Sequence, residues 1–221
     1  LQRLIGPLPA ALTATVVAAL AAGCGSGSPA PVGSTAGGSS PPTTAGATNS
    51  GRCPSAVATG SGGAESAPPG DIPDNQAYVP FSPASGGYRI TVPEGWARSE
   101  SGSTVAFTDK LNTIKVELTS VSSAPTAASA RADQVPRLES KGVCGTVAVS
   151  TVARPAGPAV LLSYQAPSSP DPVTGRVYRD DVERSEFWKA GTEAVITLSS
   201  PAGSDNVDPW RTVTSSFAWT R

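Results

Sequence analysis

The stretch Tyr88-Arg89-Ile90-Thr91-Val92-Pro93-Glu94-Gly95-Trp96 indicates how the folded part of this chain is built. Its first five residues alternate apolar with polar, which is typical of a β-strand with one buried face. The following Val92-Pro93-Glu94-Gly95 places proline second and glycine fourth, which favours a type I turn. Trp96 comes directly after the turn, and we expect it to anchor the core.

The same alternation of apolar and polar residues recurs along the chain. It is clearest at Ile114, Val116 and Leu118, which are separated by Lys115 and Glu117. Strands with one wet face are typical of antiparallel sheets. Further strands are predicted around Val105 and Phe107, from Val143 to Val152, from Val160 to Tyr164, within Arg176 to Lys189, and from Ala194 to Leu198, with turns at residues 109–112 and 189–192.

A first helix is predicted between Pro125 and Lys141, where the sequence is rich in alanine and charged residues. Pro136 interrupts this segment, so we expect the helix to run to about Gln134 and a second turn to begin at the proline. The predicted buried stripe consists of Ala128, Ala132, Val135 and Leu138.

A second helix is predicted near the C-terminus. Asn206 or Asp208 is a suitable N-cap, and Pro209 suits the first helical turn. Apolar residues then recur at spacings of three and four, which defines one helical face. These residues are Val207, Trp210, Val213 and Phe217.

The predicted order of elements is three strands, a helix, about four strands and a helix. This order favours an α+β domain with a mostly antiparallel sheet of about six to seven strands and two main helices. The Tyr88–Trp96 stretch, the helix after the third strand, and the ending with Trp210 and Ser216-Phe217-Ala218-Trp219 resemble the PsbP/Mog1-like fold. More narrowly, the chain is similar to small actinobacterial lipoproteins that carry this domain. The resemblance implies an accessory, binding or assembly role and supplies no catalytic residues.

The distribution of aromatic residues indicates where the folded domain begins. All 12 lie between Tyr78 and Trp219. Because aromatic side chains contribute much of a protein core, we place the globular domain at residues 78–221, which is long enough for a single core. From Gly25 to Pro73, 33 of 49 residues are Gly, Ser, Thr or Pro. Residues 24–77 are therefore predicted to be a disordered linker.

The N-terminal residues 1–23 have the pattern of an export signal, with Arg3, an apolar run and small residues before Cys24. The sequence Leu20-Ala21-Ala22-Gly23-Cys24 resembles the lipobox of bacterial lipoproteins, in which the cysteine is lipidated. An uncleaved anchor with a chance cysteine is the alternative. The resemblance implies a protein attached through Cys24 to the extracytoplasmic face of the cell membrane. Because the chain begins with leucine and has no methionine, we interpret its first residue as a misread non-AUG start codon or as the result of a truncation.

Two cysteines, Cys53 and Cys144, remain after Cys24. Outside the cytoplasmic membrane disulfides persist, so this even pair suggests a bridge. No metal site or cofactor is predicted, because the chain contains no histidine and the two cysteines lack zinc-ligand spacing. The net charge of −1 gives no basic surface for nucleic acid.

Several catalytic arrangements are excluded by composition. Without histidine there is no Ser-His-Asp triad or Cys-His pair. Ser204-Asp205-Asn206 matches one element of penicillin-binding enzymes, but the accompanying lysine motifs are missing, and helix capping by Asn206 explains the triplet better. The densest acidic group is interpreted as a solvated, salt-bridged strand face, with weak Ca²⁺ binding as the alternative. It comprises Asp180, Asp181, Glu183 and Glu186.

Three functional hypotheses follow. The first is a non-enzymatic, lipid-anchored envelope protein that binds a partner protein or small ligand. The second is an auxiliary lipoprotein of an envelope transport machine of the ABC type, or of an assembly machine. The third is an enzyme that relies on a pair of carboxylates. A ligand-binding protein should have a cavity lined by tryptophan, a partner-binding protein should expose an apolar patch, and the enzyme should have two carboxylates in a cleft. The four tryptophans, Trp96, Trp188, Trp210 and Trp219, are each expected to belong to the core rather than to a pocket.

Overall fold

The computed structural model describes residues 53–57 and 69–220. The predicted signal peptide, Cys24 and most of the predicted linker lie outside the described residues. The strands are β1 (Tyr78–Phe81), β2 (Tyr88–Pro93), β3 (Ala97–Ser101), β4 (Thr104–Asp109), β5 (Asn112–Ser120), β6 (Cys144–Arg154), β7 (Gly157–Pro167), β8 (Arg179–Lys189), β9 (Thr192–Pro201) and β10 (Ala218–Trp219). The helical parts are α1 (Ala127–Ser129), a π-helical segment (Ala130–Gln134), α2 (Val135–Ser140) and α3 (Val207–Ser216).

Two antiparallel sheets organise the domain. Seven strands form one sheet in the order β3-β4-β5-β9-β8-β7-β6, and β1, β2 and β10 form a small second sheet. The predicted α+β class, with about six to seven antiparallel strands and two helical stretches, is confirmed. The small sheet was not predicted, because β1 and β10 are only four and two residues long.

The core lies between one face of the large sheet, the small sheet and α3. We call this the inner face of the large sheet and the opposite side its outer face. Ile114 pairs with Leu198 and Val116 with Ile196, so all four side chains lie on the inner face. Phe187 packs against Phe217 with ring centroids 4.8 Å apart. Both rings are fully buried, as is Tyr88 of the small sheet.

The helical stretch between β5 and β6 differs from its predicted packing. Ala130 is buried beside Val160 and Leu162 of the outer face, whereas Ala128 and Ala132 of the predicted stripe are exposed. The reason is the π-helical segment, whose i to i+5 hydrogen bonds widen the turn and change which residues face the sheet. The other two predicted stripe residues, Val135 and Leu138, are half-buried.

Helix α3 follows the prediction with one exception. Trp210, Val213 and Phe217 are buried as expected. Val207 is 63% exposed and does not belong to the core. Its position explains the difference, because the first residue of α3 borders an open cleft rather than the packed interior.

No helix in these two described segments is long and apolar enough to cross a membrane.

The packed unit includes residues before Tyr78, the boundary predicted from the first aromatic side chain. Ile72 is 5% exposed and belongs to the core. Its backbone N–H donates to Asn206 Oδ1 at 2.8 Å. Asn206 Nδ2 in turn donates to the carbonyl of Gly70 at 2.9 Å. Asn206 therefore fastens this N-terminal segment to the start of α3, and the capping bond predicted for its side chain is absent within the described residues.

Candidate functional site

A cleft of about 560 Å³ opens on the inner face of the large sheet, beside the beginning of α3. We call it the inner cleft. It forms where the inner-face residues of β7 and β8 change from apolar to polar, so the hydrophobic core stops short of this end of the sheet. Ser163 pairs with Glu183, and Gln165 pairs with Asp181 across the two strands. All four line the inner cleft.

Asp181 is held in place by two hydrogen bonds. Gln165 Nε2 donates to Asp181 Oδ1 at 2.8 Å, and the backbone N–H of Gly203 donates to Oδ2 at 2.9 Å. Both carboxylate oxygens are therefore occupied by the protein itself. Hydrogen bonds to an ionised carboxylate are stronger than those between neutral groups. Asp181 thus connects β7 and β8 to the loop that leads into α3.

Glu183 is the second carboxylate of the inner cleft, and it is less constrained. Burial raises the pKa of Glu183, while the positive charge of Arg154 acts in the opposite direction. The Arg154 guanidinium Nε also donates to Thr214 Oγ1 of α3 at 3.3 Å. Within residues 53–57 and 69–220, no ion pair joins Glu183 to any basic group. Its carboxylate is thus the acceptor in the cleft that remains available to a ligand.

Trp210 forms the apolar wall of the inner cleft. It lies in the first turn of α3, where its backbone N–H donates to the carbonyl of Asn206 at 2.9 Å. The side chain is mostly buried yet lines the cleft. An apolar wall opposite a few polar groups is the usual composition of a small-molecule site.

A disulfide closes one side of the inner cleft. The structure joins Cys53 to Cys144, with their Cα atoms 5.6 Å apart. Cys144 lines the cleft at the start of β6, where the strand register shifts before Ala148. The carbonyl of Ser55 accepts from the backbone N–H of Arg179 at 3.1 Å, so the segment after Cys53 runs beside the start of β8.

The acidic group of β8 is not the solvated face that its composition predicts. Its four carboxylates do alternate between faces, but Glu186 is only 1% exposed and Asp180 only 6%. Glu186 on the outer face accepts from Arg184 Nε and from Gln134 Nε2, both at 2.8 Å. The interpretation as a solvated face is therefore wrong for these two residues, because the π-helical segment covers Glu186, and the strands and loops around Asp180 enclose it. In the described part of the chain, no three acidic or cysteine residues are grouped as a metal site would require.

The tryptophans occupy different environments. Trp96 and Trp219 are half-buried and pack against the core. Trp188 is 36% exposed at the end of β8, so the core position expected for it is wrong. Trp210 is both a core residue and a cleft residue. Sequence reasoning did not single out Ser163 or Gln165, although their alternation with Leu162 and Tyr164 gives the face on which each lies.

No family model matches the sequence, and no curated protein sequence matches it. Among solved structures, the chain is similar to cyanobacterial PsbP (CyanoP) from Synechocystis sp. PCC 6803, with 16% identity, a TM-score of 0.44, and coverage of 68% of this chain and 98% of that one. It is also similar to the Ran-binding protein Mog1p of Saccharomyces cerevisiae, with 10% identity, a TM-score of 0.41, and coverage of 65% and 95%.

A third similar structure is LpqN, involved in cell envelope biogenesis of Mycobacterium tuberculosis, with 15% identity, a TM-score of 0.42, and coverage of 67% and 93%. A similar chain from Bacteroides thetaiotaomicron VPI-5482 is longer, and this protein spans 48% of it. A PsbP protein and Mog1p thus occur among the structures with which this α+β fold compares. Likenesses of this size describe the arrangement of strands and helices alone.

Proposed function

We propose that this chain is a lipid-anchored, extracytoplasmic binding protein whose inner cleft takes a small ligand with hydrogen-bond donors. The observation that carries the proposal is the cleft of about 560 Å³, in which Trp210 lies near two carboxylates and two uncharged polar side chains. Its size falls in the range of small-molecule sites, about 300–1,000 Å³. A cavity lined by tryptophan is also the feature expected of a ligand-binding protein.

The chemistry of the cleft favours ligands that donate hydrogen bonds. Glu183, Ser163 and the carbonyl oxygen of Gln165's side chain are acceptors, and the carboxylate of Asp181 adds negative charge. Hydroxyl groups and ammonium groups both meet these requirements. The Trp210 wall supplies the apolar contact that a small organic ligand also needs.

A binding role fits the cleft better than catalysis by paired carboxylates. Such catalysis needs one carboxylate free to act as nucleophile or base. Both oxygens of Asp181 already accept hydrogen bonds from Gln165 and Gly203. Hydrogen bonds to a charged group each contribute about 1.5–3 kcal/mol, so these two bonds favour a structural role. Asp181 is therefore suited to hold the cleft together.

The test is a titration of the ¹⁵N-labelled full chain in detergent micelles with two probes, glucose as a polyol and putrescine as an amine. We expect saturable shifts of the Trp210 indole signal and of the Glu183 and Gln165 backbone amides with at least one probe. Glu183→Gln should weaken binding of the amine at least tenfold, since it removes the negative charge. The surface variant Glu139→Gln in α2 is the matched control. If neither probe moves these signals, the inner cleft is not the proposed binding site.

The anchored part of the proposal is tested separately at Cys24. Replacing Cys24 by Ala should release the protein from isolated membranes into the soluble fraction. Retention of the variant in the membrane until detergent is added would contradict the lipid anchor. The auxiliary role in a transport or assembly machine predicts a further result, the recovery of one defined membrane complex after crosslinking in intact cells.

A further inference from the structure

A second cleft, of about 650 Å³, lies on the outer face of the same strands. We call it the outer cleft. Tyr164 and Val182 line both clefts, so β7 and β8 form the floor of each. The β4–β5 hairpin forms one wall of the outer cleft, and the loop between β7 and β8 forms the other. Nothing in the proposed function of the inner cleft accounts for this site.

Asp180 lies in the floor of the outer cleft, opposite Ala166 of β7. It is 6% exposed. Burial, followed by the negative charge of Asp181, raises the pKa of Asp180 to about 6, and no hydrogen bond opposes this rise. A buried carboxylate normally has a donor or a cation as its partner, because desolvating an unpaired charge is costly. Among the described residues, Asp180 has neither.

A second polar group in the outer cleft also lacks a partner. Thr197 Oγ1 is buried and makes no hydrogen bond to any described residue. Thr197 lies on β9 directly opposite Arg184, two positions from Ser199, which pairs with Val182. Asp180 lies on the same face of the neighbouring strand, but it is opposite Pro201, four positions along β9 from Thr197. At about 3.4 Å per residue this separation is too long for one ligand group to contact both, so Asp180 is the group in the floor that a ligand's donor would satisfy.

The wall formed by the β7–β8 loop is preorganised. Asp171 Oδ1 accepts from the backbone N–H groups of Val173 and Thr174, at 3.0 and 2.6 Å. Ser168 Oγ accepts from the backbone N–H of Tyr178 at 3.0 Å. Because these bonds fix the loop, a ligand would enter a cleft that already exists and would not bear the entropic cost of ordering it.

The hairpin wall of the outer cleft carries positive charge, whereas its loop wall and floor carry the acids Asp171 and Asp180. Lys110 is exposed on the β4–β5 turn and takes part in none of the ion pairs found among residues 53–57 and 69–220. Lys115, on β5, forms an ion pair with Glu117, with 3.0 Å between Nζ and Oε2. A purely cationic ligand would have to pass the lysines, and a purely anionic ligand would meet the unpaired Asp180.

We propose that the outer cleft binds a small zwitterion of the amino-acid class, with its ammonium group on Asp180 and its anionic group at Lys110. Such a ligand provides the donor that Asp180 lacks and neutralises the charge of Lys110 at the opening. It also removes the cost of leaving a buried carboxylate unpaired.

The experiment is isothermal titration calorimetry at pH 7.5, with four probes, on the full chain in detergent micelles. The chain carries Glu183→Gln, which weakens amine binding in the inner cleft. Two of the probes are zwitterions of different length, β-alanine and γ-aminobutyrate. The other two carry one charge each, propylamine and propionate. We expect at least one zwitterion to bind at least tenfold more tightly than either singly charged probe. Equal binding of propylamine and the zwitterions would overturn the proposal, as would tighter binding of propionate or no binding of any probe.

Variants locate the two charges. In this same background Asp180→Asn should weaken zwitterion binding at least tenfold, and Lys110→Gln should weaken it about threefold, whereas the surface variant Glu139→Gln in α2 should leave it unchanged. Asp180→Asn removes a buried charge, so it should remain folded, and its thermal melt verifies this. Unchanged affinity of a folded Asp180→Asn variant would overturn the proposal. An Asp180 effect without a Lys110 effect would overturn the zwitterion assignment, since the anionic group would then have no partner.

Discussion

Asp180 and Asp181 are adjacent in sequence, yet they lie on opposite faces of β8, and of the two only Asp181 accepts hydrogen bonds from the part of the chain that the structure describes. Asp181 lines the inner cleft, and the protein supplies a donor to each of its oxygens. Asp180 lines the outer cleft, and burial raises its pKa to about 6 without any opposing hydrogen bond. The strand's alternation alone separates them. The first carboxylate stabilises a site, and the second is the group that a ligand would stabilise.

Glu186 shows that burial on the outer face does not by itself leave a carboxylate unpaired. It lies on the same face as Asp180, six residues along β8, and is almost completely buried. Arg184 and Gln134 both donate to it. Where the outer face is covered by the helical stretch, the fold provides partners for its buried acid. Where the same face opens into the outer cleft, it does not.

The largest difference between the two clefts should follow from loss of the disulfide. The paired substitutions Cys53→Ser and Cys144→Ser should lower the free energy of unfolding by about 4–5 kcal/mol, because a closed loop of this length restricts the unfolded chain. Cys144 lines only the inner cleft. Urea unfolding measures the loss, and amide shifts should change at Thr146 and Gln165 but not at Thr197. A loss below about 1 kcal/mol would contradict this role of the bridge.

The next largest effect should come from Asp181→Ala. This substitution leaves the donors of Gln165 and Gly203 without a partner, and we expect a loss of about 2–3 kcal/mol in the free energy of unfolding. The exposed Asp133 of the π-helical segment provides the control, and Asp133→Ala should change stability by less than about 0.5 kcal/mol. Equal effects of the two substitutions, measured by urea unfolding at pH 7.5, would remove the contrast between Asp181 and Asp180.

Asp180→Asn, in contrast to Asp181→Ala, should increase the free energy of unfolding. The pKa of about 6 in the folded state lies above the ordinary value of 3.8, so the folded protein binds more protons between these values. The contribution of Asp180 to the free energy of unfolding is therefore highest below about pH 4, falls as the pH rises to about 6, and stays constant above it. Asn avoids this fall, which makes the variant more stable than the parent by roughly 1–2 kcal/mol at pH 7.5, after allowance for water in the cleft.

The measurement for Asp180 is urea unfolding of parent and variant at pH 4, 5, 6 and 7.5. Burial also raises the pKa values of Glu183 and Glu193, so only the difference between the two proteins reports on Asp180. The variant should gain over the parent as the pH rises through this range. A constant difference at all four pH values would show that the charge of Asp180 carries no cost.

Much of the fold follows from local patterns in the sequence. The alternation at Ile114, Val116 and Leu118 predicts β5, and the apolar spacing of Trp210, Val213 and Phe217 predicts the buried face of α3. Local patterns failed where geometry depends on distant contacts. The stripe with Ala128 and Ala132 assumed a regular α-helix, and the π-helical segment changed the exposed face.

The sites were less predictable for a related reason. Alternation along β8 assigns Asp180 and Asp181 to opposite faces, but it cannot tell which face is covered. The loop from Pro167 to Tyr178 and the β4–β5 hairpin enclose the outer cleft. These two walls are far apart in sequence, so no local pattern places them together. Asn206 presents the same difficulty, because its partners Gly70 and Ile72 are more than 130 residues away.

The smallest expected effects test whether the two clefts are independent. Glu183→Gln and Lys110→Gln should each change the free energy of unfolding by less than about 0.5 kcal/mol, because neither side chain takes part in an ion pair of the described residues. Each should nevertheless weaken one kind of binding, that of putrescine for Glu183 and that of the zwitterion for Lys110.

The two residues lie on opposite faces of the sheet, so their effects should be independent. For each ligand, the change in binding free energy in the double variant should equal the sum of the two single changes within about 0.5 kcal/mol. A larger deviation from additivity would mean that strands β7 and β8, the floor of both clefts, transmit occupancy from one face to the other.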